Sequence, residues 1–431
     1  MKLAGYNIYK ANRFINKISS FTPEKKIEWQ YNQKWVLARF HYKNNNFYNM
    51  KIKGHLPKYW EQLPIMRKKD YQIDINKLLT NGYTKKNTYI ANTSGSSGHP
   101  FFYAKNKYAH AITWALTENR YKWHNLRLES KQARYFGSPL EHTGKYYELL
   151  KDLLMNRKKM LVFDLSDSIL DRHLILFEKI KFKFIYGYTS ALVLFARYLL
   201  SNNLILHSIC PTLKCCITTS EVLTPEDRII LNSAFGVKII NEYGVSEAGG
   251  IIAFEDDNSN WILSTETQFI EIVDDDGKVV NDGKEGKVLI TDLHNKAMPF
   301  LRYEVGDIGI INSTKNNGQS FLNKLTGRTN DIINLPSGKK SPGLTFYYIS
   351  RSILESYGIL KEFIIKQETL DTFVFEIVSS RDLSNSEIQT IQDKMDIYLE
   401  PGLKIKINRK NMINRPKSGK LKHFYSYIDE K

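Results

Sequence analysis

The stretch Thr93-Ser94-Gly95-Ser96-Ser97-Gly98-His99-Pro100 alternates hydroxyl side chains with glycines. It lies between the apolar run Tyr89-Ile90-Ala91 and the aromatic pair Phe101-Phe102. Glycine lets the backbone approach a ligand closely, and a row of hydroxyls with free N–H groups suits the wrapping of an oligophosphate. The same composition also makes plain turns and linkers. What separates the two readings is downstream, where further motifs follow in a fixed order.

The 431 residues suggest two or three domains at about 150 residues each. Hydrophobic residues make up 42% and charged residues 25%, a balance that excludes a disordered chain. No apolar run approaches the ~20 residues of a membrane span. The opening Met1-Lys2-Leu3-Ala4-Gly5-Tyr6 is broken by polar residues too early for a signal peptide. Cys210, Cys215 and Cys216 are too few and too clustered for a disulfide framework, and no histidine stands near them at zinc spacing. They read as small buried residues beside a strand. A cytoplasmic, reduced protein is expected. The net charge of +17, from 62 basic and 45 acidic residues, favours anionic ligands. Its lysines are spread along the chain, which supports phosphate-rich small substrates and only weakly nucleic acid, so no nucleic-acid partner is expected.

Residues 1 to about 85 are basic, aromatic and helix-prone, without a motif. A helical pattern runs from Lys107 to about Asn125. From Phe182 to Asn241 strands and helices alternate: Phe184 to Tyr186, a helix capped by Thr189, Leu213 to Thr219, a helix opened by Thr224-Pro225-Glu226, and Val237 to Ile240. Such alternation predicts a parallel sheet covered by helices. After Trp261 the pattern turns antiparallel or barrel-like, with Asp276-Gly277 as a hairpin signal between Phe269–Val273 and Lys278–Val280, and Gly286 to Thr291 as a further strand. Gly327 to Ser341 reads as a boundary loop. Beyond it, strands at Glu362 to Lys366, Thr372 to Val378 and Leu403 to Ile407 surround a helix begun by the capping pair Ser384 and Glu387.

Asn241-Glu242-Tyr243-Gly244-Val245-Ser246-Glu247 follows a predicted strand, at the carboxyl end where open α/β sheets bind ligands. Tyr243 offers a flat ring for a base, and Ser246 with Glu247 offers hard oxygens for a phosphate and its Mg²⁺. A solvated surface turn is the alternative. In Phe300-Leu301-Arg302-Tyr303-Glu304-Val305-Gly306-Asp307 the last carboxylate can accept two hydrogen bonds from a ribose diol, or merely close a hairpin. Gly327-Arg328-Thr329-Asn330-Asp331 brings a guanidinium to the boundary. Arg415-Pro416-Lys417-Ser418-Gly419-Lys420-Leu421-Lys422 is a basic glycine loop whose plain reading is a solvated tail.

Together these segments resemble the adenylate-forming ligase superfamily, most closely the branch containing phenylacetate–CoA ligase and CapK-type proteins of capsular polysaccharide clusters. The resemblance covers roughly residues 85 to 425. In that branch, too, the loop lacks a lysine after its proline, as Pro100-Phe101 does here. The resemblance implies a mixed α/β fold, with an ATP- and acid-binding domain over residues 1–329. Its parallel α/β sheets would be joined by an antiparallel or barrel subdomain. A small mobile α+β lid would follow over residues 330–431.

The implied roles follow position by position. Thr93, Ser94, Gly95, Ser96, Ser97 and Gly98 would hold the β- and γ-phosphates of ATP. Tyr243 and Gly244 would meet adenine, with Ser220 and Glu221 lining the same base. Ser246 would keep the hydroxyl usually supplied by threonine. Glu247 would bind Mg²⁺, Asp307 the ribose, and Arg328 the ribose or phosphate. Lys420 would bridge carboxylate and α-phosphate, and Asn330 would stand at the hinge, where Asp or Lys is usual. The implied activity is ATP-dependent activation of a carboxylic acid to an acyl-adenylate. The acyl group would then pass to coenzyme A, another thiol, or an amine in surface polysaccharide synthesis. A P-loop NTPase is disfavoured because no Gly-Lys-Ser/Thr closes the loop, and a serine hydrolase because Gly95-Ser96-Ser97-Gly98 is one residue short of a nucleophile elbow. The second reading is a catalytically silent nucleotide-binding homologue acting through interactions. A monomer or homodimer is expected.

Overall fold

Thr22, Thr224 and Ser384 each precede a helix and cap it, the side-chain oxygen accepting a backbone N–H from the first turn. The helices are Pro23–Asn44, Pro225–Phe235 and Asn385–Tyr398. At Asn385–Tyr398 the Glu387 carboxylate also accepts the Ser384 N–H, completing a capping box. The computed structural model describes residues 5–92, 101–136, 150, 152–313, 320–326, 332–343, 345–346, 349, 360–411, 413 and 424–428.

The chain divides into two compact units that are not successive in sequence. The first comprises Met1–Thr93, Phe101–Arg127 and Glu242–Gly327. Its antiparallel sheet runs in the order Gln268–Val273, Glu285–Asp292, Tyr303–Ser313, Ser320–Thr326, Trp261–Leu263 and Gly250–Glu255. It ends on residues 242–245 of the strand Lys238–Val245. The Asp276-Gly277 turn forms as its residues predict: Asp274 accepts the N–H groups of Asp276 and Lys278, and Gly277 takes φ of +81°. Its outgoing arm is shorter than expected. Only Val279 bridges back to Val273 before the chain re-enters the sheet at Glu285.

The motif-free residues 5–92 belong to this unit. Met66 exchanges backbone hydrogen bonds with Arg302 and Glu304, and Arg302 donates to the carbonyls of Glu61, Leu63 and Gly277. Thr88–Asn92 pairs antiparallel with Phe102–Asn106, so Asn92 and Phe102 stand opposite each other at the base of the glycine/hydroxyl loop. The loop itself, Thr93 to Gly98, lies outside the described residues. Helix Lys107–Lys122 follows, near its expected bounds.

The second unit comprises Ser94–Pro100, Leu128–Asn241 and Arg328–Lys431. As the alternation predicted, it holds a parallel sheet, in the order Cys215–Thr219, Phe184–Tyr188, Gln132–Tyr135 and Arg157–Lys159. Gly187 is required there, since a Cβ would sit 2.4 Å from the Tyr135 Cβ. The three cysteines are buried, two of them in the strand Cys215–Thr219. A four-stranded sheet, Lys404–Arg409, Thr372–Ser379, Leu360–Thr369 and Phe424–Ser426, carries helix Asn385–Tyr398. Phe363, Ile365, Phe373, Phe375 and Tyr398 share one buried cluster with Tyr135, Phe177 and Phe195. The boundary loop differs from expectation by containing a short hairpin, Ile332–Asn334 with Lys340–Pro342. Among the described residues no helix is long and apolar enough to cross a membrane.

Candidate active site

The strand Lys238–Val245 is longer than its apolar run predicts, and it carries Tyr243 and Gly244 inside the sheet. The turn starts only at Ser246, which is exposed, and Glu247 behind it is buried at 6% exposure. On the other motif, Tyr303 begins the strand Tyr303–Ser313. The register against Glu285–Asp292 slips between Leu289, opposite Glu304, and Lys287, opposite Ile308. Val305, Gly306 and Asp307 occupy that irregularity, with Gly306 at φ +87°. Bulges of this kind redirect a side chain out of the ladder, and here the redirected group is the Asp307 carboxylate.

Three strands separate these two segments in the sheet order. Four strand spacings in a flat sheet would hold them about 19 Å apart. Yet the Tyr243 hydroxyl donates to Asp307 Oδ2 at 2.7 Å, and the Tyr303 hydroxyl donates to Glu247 Oε1 at 2.8 Å. The antiparallel sheet therefore curls strongly, as the expected barrel-like character requires. Tyr303 is fully buried among Tyr71, Phe101 and Phe300, and Tyr243 packs edge-on against Trp261.

Each carboxylate keeps one oxygen that accepts no hydrogen bond among the described residues: Asp307 Oδ1 and Glu247 Oε2. Asp307 is partly exposed. Lys105, at 2% exposure, adds a buried cation whose ammonium reaches Thr113 Oγ1 at 3.5 Å. Burial pulls its pKa down, opposed by the charges of Asp292 and Glu247. Among the described residues no three His, Cys, Asp or Glu side chains gather as a metal cage. Mg²⁺ needs none, since it binds through one or two carboxylates with phosphate oxygens and water. Glu247 with a spare oxygen fits that pattern.

Ser220 and Glu221 are described within the second unit. Ser220 is exposed and holds φ of +71°, a left-handed conformation that costs a serine about 1–3 kcal/mol. The turn sends the Glu221 side chain to helix Thr189–Ser201, where Glu221 Oε2 accepts the Ser190 N–H at 2.8 Å. Glu221 Oε1 is buried without a partner, although the residue as a whole is partly exposed. Burial pushes this carboxyl up to about 7, against the lowering effect of the Ser190 N–H. Thr93 to Gly98, Arg328, Asn330 and Lys420 lie outside the described residues.

Sequence reasoning missed Tyr303 and Lys105. For Tyr303 a signal existed: both motifs read Tyr-x-x-x-acid, at Tyr243–Glu247 and Tyr303–Asp307. Lys105 gave none, being one of many lysines.

No family model matches the chain. Protein CapK of Staphylococcus aureus is 24% identical over 337 residues, 76% of this chain and 71% of that protein. Phenylacetate-coenzyme A ligase of Aromatoleum evansii is 30% identical over 126 residues, 28% of this chain and 29% of that enzyme. A crystal structure of 2-hydroxyisobutyryl-CoA ligase, in complex with 2-HIB-AMP and CoA in the thioesterification state, superposes with a TM-score of 0.59. That match covers 94% of this chain and 90% of that one at 16% identity, a likeness of fold. The motif order and these comparisons agree: in sequence the chain is similar to CapK and, over a shorter stretch, to phenylacetate–CoA ligase, and in fold it is similar to an acyl-CoA ligase.

Proposed function

We propose that the protein activates a carboxylic acid with ATP and passes the acyl group to coenzyme A. The observation that carries this is the pair of tyrosine–carboxylate hydrogen bonds, which among the described residues leaves one oxygen of Asp307 and one of Glu247 without a partner. In this reading Asp307 Oδ1 accepts from the ribose hydroxyls, and the Tyr243 ring lies against adenine. Glu247 Oε2 would hold Mg²⁺, whose charge offsets that growing on the leaving pyrophosphate. The loop Thr93 to Gly98 would supply N–H and hydroxyl donors to the β- and γ-phosphates, and Arg328 would pair with ribose or phosphate.

The acid's carboxylate oxygen attacks the α-phosphorus, the bond to the β-phosphate bridging oxygen breaks, and pyrophosphate leaves. No protein nucleophile is needed. Catalysis rests on positioning and charge neutralisation, to which Lys420 contributes by contacting carboxylate and α-phosphate together. The thiol of coenzyme A then attacks the acyl carbon and AMP departs. That second step needs Lys420 withdrawn, so residues 330–431 would act as a lid turning about Asn330. Coenzyme A is the favoured acceptor because two of the relatives are named as CoA ligases.

The test is a screen of carboxylic acids for ATP-dependent pyrophosphate release, with and without coenzyme A. Acid-dependent release that yields a thioester supports the proposal. Release that needs an amine in place of coenzyme A moves the acceptor to nitrogen. ATP binding without release for any acid favours the silent homologue.

A further inference from the structure

The two hydrogen bonds at the site are reciprocal. Tyr243 and Glu247 come from one segment, four residues apart, and Tyr303 and Asp307 from the other, also four apart. Each tyrosine donates to the carboxylate of the opposite segment. Neither bond is local, since the partners are 64 and 56 residues apart. Both tyrosines are buried, so their hydroxyls have little water to turn to, and each bond fixes one carboxylate oxygen. A carboxylate fixed through one oxygen presents the other in a single direction.

We infer that Tyr303 is a positioning residue for the metal carboxylate Glu247, and Tyr243 for the ribose carboxylate Asp307, so that each hydroxyl governs a different part of ATP recognition. This rests on the proposed function, which assigns Mg²⁺ to Glu247 and ribose to Asp307. The physical argument is the one that holds for outer-shell partners of metal ligands: they set ligand orientation and basicity, and their loss costs ~10–100-fold in metal affinity or activity. Tyr303 suits the role because its ring is clamped by Tyr71, Phe101 and Phe300. The hydroxyl therefore cannot follow Glu247 if the carboxylate swings away.

The experiment is calorimetric titration of ATP into the whole chain, once with EDTA and once with excess Mg²⁺. The ratio of the two dissociation constants measures what the metal adds. Phenylalanine keeps each ring and removes only the hydroxyl. Tyr303→Phe is expected to shrink the ratio ~10-fold or more while leaving the metal-free constant within about twofold. Tyr243→Phe is expected to weaken ATP several-fold in both titrations and to leave the ratio unchanged. In a Glu247→Gln background, Tyr303→Phe should change the ratio no further, because the group it positions no longer takes the metal. A wild-type ratio in Tyr303→Phe, or a further loss in the Gln background, overturns the inference while the proposed function stands. Wild-type protein that binds no ATP at all overturns both. Thermal unfolding of each variant checks that it folds. If Tyr303→Phe does not fold, the Tyr243→Phe pattern decides the inference, and a change in its ratio overturns it.

Discussion

Glu221 Oε2 accepts the backbone N–H of Ser190 at 2.8 Å, so a side chain from one strand end caps the helix that begins at another. The contact draws the carboxyl into a place where its second oxygen has no partner. Burial accordingly pushes the group up to about 7, from 4.5 in an unfolded chain. The folded protein keeps this proton at pH values where the unfolded chain has lost it. The stability it contributes is therefore complete below pH 4.5 and is lost as pH rises through 7. Glu221→Gln cannot titrate, and its unfolding temperature should fall less between pH 5 and pH 8 than that of the wild type. The whole effect is bounded at about 3 kcal/mol. Parallel pH profiles for the two proteins would show that the carboxyl is ionised throughout.

Arg302 is a second place where burial decides the outcome. Its guanidinium donates to three backbone carbonyls and lies 3.2 Å from Glu271, which also accepts from Trp60 Nε1. Arg302 and Glu271 are both buried. Arg302→Met leaves Glu271 an uncompensated buried charge and strips the three carbonyls of their donor. The expected cost is about 3–5 kcal/mol in urea unfolding. A loss under about 1 kcal/mol would mean that the pair contributes nothing net.

At the candidate active site, Glu247→Gln keeps the size of the side chain and the hydrogen bond from Tyr303 but removes the charge. Acid-dependent exchange between ATP and pyrophosphate should fall by ~10²-fold or more. Unchanged exchange would take Glu247 out of the metal site.

Lys420 is proposed to serve only the first half-reaction, because an ammonium touching carboxylate and α-phosphate has no counterpart once the acyl-adenylate exists. Lys420→Ala should lower adenylation by ~10²–10³-fold while supplied acyl-adenylate is still turned over. Equal losses in both half-reactions would make the lysine structural.

What could be read along the chain was whatever depends on near neighbours. The Thr224-Pro225 start, the Ser384–Glu387 capping box and the Asp276-Gly277 turn all form, because each is settled by hydrogen bonds within a few residues. The strand–helix alternation from Phe182 to Asn241 likewise announced the parallel sheet, since hydrophobic period is a local property. The order of the motifs pointed to the same relatives that the sequence comparisons return. The tertiary structure alone decided what the motif residues do to one another. Tyr303 meets Glu247, and Tyr243 meets Asp307, only because the sheet curls past three intervening strands. The same holds for Lys105, whose significance comes from burial opposite Asp292 and Glu247, and for residues 5–92, tied to the motif strand through Met66 and Arg302. Contacts between groups distant in sequence depend on how strands twist and stack, and a linear pattern of residue types carries no record of that geometry.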